Sequence, residues 1–111
     1  MKLITKNLEA KLIANALNGD DTGGDKPPLK LFAPWGAATW LISEYDPKTR
    51  TMFGLCDLGH NCAELGYVSL DELEDVSGPF GLKIERDTSF EPSMTLGEYA
   101  AEARECGYIA A

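Results

Sequence analysis

The chain has no long apolar run, little positive charge in its second half, few cysteines and a single histidine. No stretch approaches the roughly 18 apolar residues of a membrane span, and MKLITKNLEA has neither the apolar centre nor the small-residue cleavage site of a secretory leader. Residues 57–111 carry three Lys or Arg against twelve Asp or Glu, a net charge of -9, whereas residues 1–56 carry a net +1. A surface of that sign repels nucleic-acid phosphates and anionic lipid, so direct DNA, RNA or membrane binding is not expected. A basic protein surface would be attracted instead. Cys56, Cys62 and Cys106 cannot all pair within one chain, and nothing else points to secretion, so reduced thiols are expected. Glycine-rich phosphate loops, GxSxG elbows and HExxH are missing, and no cofactor is expected. Together these features predict a soluble, cytoplasmic protein.

What is present suffices for one core. With 111 residues, 44% of them hydrophobic, the chain is read as a single domain, 1–111, that folds without staples. In TKNLEAKLIANALNG, Leu8, Leu12 and Ala16 recur every four residues behind Thr5, which predicts a helix with a stop at Gly19. GDDTGGDKPP follows, and residues 19–28 are expected to form a flexible loop. LKLFA, ATWLISEY and TMFGLCDL read as strands, the last two joined into a hairpin by DPKTR. LGYVS is a further strand running into SLDELEDV, where Ser69 and Glu72 have capping-box spacing. LKIER alternates cleanly and predicts a strand with one wet side. Thr95 and Glu98 open a last helix with Leu96, Tyr99, Ala100 and Ala103 on its inner face. The predicted class is α+β, a mostly antiparallel sheet of about four or five strands, with N-terminal, middle and C-terminal helices covering one face.

The segment CDLGHNCAELG gathers the residues that could carry chemistry. Cys56, His60, Cys62 and Glu64 could ligate zinc in a tight loop, but zinc signatures usually open on a close pair such as CxxC, and no second ligand pair exists. His60 could activate Cys56 or Cys62, though no orienting group is visible. Asp57 and Glu64 could act as acid and base if burial raised one of them. The simpler expectation is a turn: Gly59 and Asn61 are turn residues, His60 is a loop tip, and Cys56 sits in a strand apolar on both faces. Trp35, in a Pro-Trp-Gly turn, is expected to be an exposed aromatic on a binding surface. Trp40, itself expected in the core, joins Asp57, Glu64 and Tyr67 as the alternative, a small-ligand pocket near the 57–67 loop. Asp71, Glu72, Glu74 and Asp75, with the stripe Glu98, Glu102 and Glu105, are read as an acidic surface.

MKLITKNLEAKL, KLFAPWGAATWLISEYD, FGLCDLG, ELGYVSLDELE and GPFGLKIERDTSFEP, taken together, resemble one family of small bacterial proteins classed as a domain of unknown function. The similarity spans nearly the whole chain, and ELGYVSLDELE followed by GLKIERD is its most specific part. The resemblance implies a setting on plasmids and integrated conjugative elements, near antirestriction and partition genes. It implies no catalytic residues, and relatives tolerate other residues at His60 and Cys62. The expected function is therefore a non-enzymatic protein-binding, accessory or anti-defence factor with a protein partner.

Overall fold

The computed structural model describes residues 2–18 and 24–111. Helix α1 is Lys6–Leu17; strands β1 to β4 are Leu29–Phe32, Thr39–Asp46, Thr51–Asp57 and Glu64–Ser69; helix α2 is Leu70–Asp75; β5 is Glu85–Arg86; and helix α3 is Leu96–Cys106. The five strands form one antiparallel sheet in the order β4-β3-β2-β1-β5. The predicted α+β class, with its N-terminal, middle and C-terminal helices, is what the chain forms.

The helices cover both faces of the sheet, where one covered face was expected. Trp40, Ile42, Tyr45 and Met52 point to one side and pack with Leu12 of α1 and Leu70 and Leu73 of α2. Leu41, Phe53 and Leu55 point to the other and pack with Leu96, Tyr99, Ala100 and Ala103 of α3. Double coverage explains the texture of the central strands. Six consecutive residues of β2, Trp40 to Tyr45, are buried, the polar Ser43 and Glu44 at the bulge included, because a strand covered twice has no wet side.

Two irregularities set the register of the centre. Ile42 pairs with Gly54 and Glu44 with Phe53, so Ser43 is the extra residue of a β-bulge. The buried Ser43 carbonyl accepts a hydrogen bond from Asn15 Nδ2 at 2.8 Å, which fixes α1 along the strand. Beside the bulge the two backbones approach so closely that a Cβ on Gly54 would lie 2.1 Å from the Leu41 carbonyl oxygen. Only glycine fits there.

Local signals end the elements largely as predicted. The Thr5 and Ser69 hydroxyls accept from the Leu8 and Glu72 N–H groups, each at 3.2 Å. At α3 the box is complete: Thr95 Oγ1 accepts from the Glu98 N–H at 3.2 Å while Glu98 Oε1 accepts from the Thr95 N–H at 2.9 Å. Asn18 caps α1; the predicted stop at Gly19 and much of the predicted loop lie outside the described residues. LKIER contributes only Glu85 and Arg86 to the sheet. Lys83 instead bridges to Ser77, closing a tight turn over Pro79–Gly81.

Candidate functional site: the α2 ridge and the turn beyond it

The 57–64 loop is held by one buried carboxylate. Asp57, 2% exposed, accepts from the Gly59 N–H through Oδ1 at 2.9 Å and from the Ile109 N–H through Oδ2 at 3.0 Å. It ties the start of the loop to the residues after α3. Gly59 (φ 87°) and Asn61 (φ 57°) make the left-handed turns, and the Asn61 side chain lies against Gly107, the left-handed cap of α3. The thiols are not activated. Burial pushes Cys56 up to about 11, and the exposed Cys62, 3.3 Å from Glu64 Oε1, is raised by that hydrogen bond and by the carboxylate's charge. His60 is exposed, and among the described residues no group of three or more His, Cys, Asp or Glu side chains is placed to hold a metal ion.

The other predicted site residues separate. Trp40, 6% exposed, is a core residue and shares a cavity of about 390 Å³ with Tyr67, Leu58, Val68, Glu72 and Leu73. Asp57 and Glu64 do not line that cavity. Trp35 is not the exposed aromatic expected from its Pro-Trp-Gly turn. It is half-buried against the core, with its ring over Gly78, where a Cβ would lie 2.3 Å from the indole.

The acidic residues divide between the two faces. Asp71, Glu72, Glu74 and Asp75 are all exposed on α2. Arg50, itself left-handed at φ 54°, reaches Asp71 at 2.6 Å and Glu74 at 2.8 Å, while Glu72 and Asp75 have no ion-pair partner among the described residues. Glu98, Glu102 and Glu105 lie on α3, across the sheet. Glu98 is held below the ordinary carboxylate range, first by the Thr95 backbone N–H and then by its hydroxyl, so it serves as a cap. The seven carboxylates therefore do not form one continuous face.

A feature absent from the expectations lies just beyond α2. In Gly78-Pro79-Phe80-Gly81 the Phe80 side chain is fully exposed, at 103% relative accessibility, and its backbone is left-handed at φ 58°, ψ 25°. Val76 and Leu82 on either side are also exposed. The signal was a Pro-Phe-Gly turn bracketed by glycine: the one bulky apolar residue in a segment built to turn has no core to reach.

These observations define a small doubly covered α+β domain with an acidic helix and an exposed apolar turn that follows it in the chain. Within that class, the chain belongs to the family described as protein of unknown function (DUF2958), whose family model matches residues 3–110. No curated protein and no solved structure matches it. No helix among the described residues is long and apolar enough to cross a membrane.

Proposed function

We propose that the chain is a non-enzymatic protein-binding factor, an accessory or anti-defence component in a bacterial mobile-element setting, which engages a basic protein surface through α2. The observation that carries this reading is the arrangement of carboxylates on α2: four exposed acids on two turns, two of them held by Arg50 and two, Glu72 and Asp75, without an ion pair among the described residues. Exposed charges of one sign accelerate encounter with an oppositely charged partner and reject nucleic acid. The division of acids between the two faces favours a local protein contact over an extended imitation of a phosphate backbone. Native mass spectrometry of the chain purified at low salt from its bacterial host tests this. A stable protein adduct lost in the Glu72→Lys/Asp75→Lys double variant supports the reading; a bare chain, or an adduct indifferent to charge reversal, overturns it.

A second reading, a small-ligand domain, draws on the cavity shared by Trp40 and Tyr67. A thermal-shift screen of nucleotides, metals and common metabolites tests it, and a uniformly null screen on folded protein refutes it.

A further inference from the structure

Resting on the protein-binding reading above, we propose that Phe80 is the apolar anchor of that interface, seated in a hydrophobic socket of a protein partner whose rim is basic. Three observations converge on this residue. The first is exposure: an entire phenyl ring stands in water, flanked by exposed Val76 and Leu82, and aromatic side chains of this kind dominate binding energy once buried at an interface.

The second is rigidity. The turn beneath the ring is closed by the Gly78 N–H donating to the Leu82 carbonyl at 2.7 Å and the Leu82 N–H donating to the Pro79 carbonyl at 3.1 Å. Lys83 Nζ donates to Ser77 Oγ at 2.8 Å across the stem, and Trp35 covers Gly78 from the core side. An aromatic group held on so fixed a stem loses little conformational freedom on binding. Its left-handed backbone is unfavourable for a side chain as bulky as Phe, and a ring placed this way contributes nothing to the core of its own chain.

The third is charge, which selects the occupant. Phe80 lies five residues beyond the end of α2, and the stem of its turn lies beside that helix, where Lys83 and Ile84 line one cavity with Leu73 and Glu74; Lys83 is tied to Ser77 Oγ, and the exposed acids of α2 are the charges that a partner seated on Phe80 meets next. A second copy of the chain would bring acid to acid, and a nucleic acid would bring phosphate to acid; a socket rimmed with Lys or Arg meets both the ring and its surroundings.

The test places photo-reactive benzoylphenylalanine at position 80 and, separately, at position 105 on the opposite face, in the full chain expressed in its bacterial host. The protein captured at 80 is then purified and its affinity for the unmodified chain measured. Capture at 80 and not at 105, with affinity weakened roughly tenfold or more by Phe80→Asn and again by added salt, is the expected result. Asn tolerates the left-handed backbone, so this variant folds. If a partner binds, is released by Glu72→Lys/Asp75→Lys, and is indifferent to Phe80→Asn, the anchor is wrong while the protein-binding reading stands. If no protein is captured at either position and native mass spectrometry finds a bare chain, both fail. Capture of a second copy of the chain overturns the choice of partner.

Discussion

Replacing Asp57 separates a structural clamp from a functional acid, and the structure sets the size of the effect. The side chain is 2% exposed and both oxygens accept backbone N–H groups. In Asp57→Ala the Gly59 N–H recovers much of its loss from water, because that glycine is exposed. The Ile109 N–H, in a buried residue, does not. A buried hydrogen bond to a charged group is worth about 1.5–3 kcal/mol, and the partial loss at Gly59 brings the expected destabilisation to about 2–4 kcal/mol. For a domain of this size that is a fall in Tm of roughly 10–20 °C. Asp57→Asn is expected to lose somewhat less, since its amide oxygen replaces one acceptor and its NH₂ group faces the other donor. Urea unfolding with an unchanged m-value gives the free energy, and hydrogen exchange at the Ile109 amide locates it, with protection lost in Asp57→Ala and largely kept in Asp57→Asn, whose amide oxygen faces Ile109 while its NH₂ faces the exposed Gly59. A destabilisation below about 1 kcal/mol in Asp57→Ala with Ile109 still protected would refute the clamp. Retained stability with lost binding of a small molecule would return Asp57 to the pocket of the alternative reading.

Phe80→Asn relieves a left-handed backbone without removing any buried contact, so it is expected to stabilise the fold by about 0.5–1 kcal/mol in urea unfolding; a loss of stability would mean that the ring packs against its own chain. Gly54→Ala drives a Cβ into the Leu41 carbonyl and should cost about 3 kcal/mol or more, read as a lower urea midpoint; a neutral result would refute the close approach of β2 and β3. Because Glu64 raises the Cys62 thiol, alkylation of Cys62 at mildly alkaline pH should speed up in Glu64→Gln, its pH midpoint moving down, while Cys56, at about 11, stays slow across the same range. An unchanged Cys62 profile would refute the contact.

The caps at Thr5, Ser69 and Thr95, the DPKTR hairpin and the order of helices and strands were legible because each depends on residues a few positions apart. TMFGLCDL also carried a sign of the two-layer cover, since both of its faces are apolar. A second face needs a second set of helices, and the apolar stripe of α3 does not say which side of the sheet it meets. LKIER misled for a related reason: its alternation is local, whereas pairing with β1 requires a neighbour, and Lys83 finds Ser77 instead. Among the site residues, Asp57 was found without its role, because its second hydrogen-bond partner, Ile109, is 52 residues away. Trp35 and Phe80 exchanged places. The tryptophan of the Pro-Trp-Gly turn is packed against the core and the phenylalanine of the Pro-Phe-Gly turn stands in water, although the two turns have the same local pattern.

By itself, then, the sequence determined the class of fold, the ends of the elements, the charge of the second half and membership of a family, all of which follow from periodicity, capping chemistry, composition and motif order. Only the tertiary structure decided that helices cover both faces, that the acidic residues divide between them, and that Phe80 stands in water while Trp35 is covered. Those outcomes depend on which distant residues share a side of the sheet. The bulge at Ser43 and the close approach at Gly54 set that register through contacts that local pattern does not record.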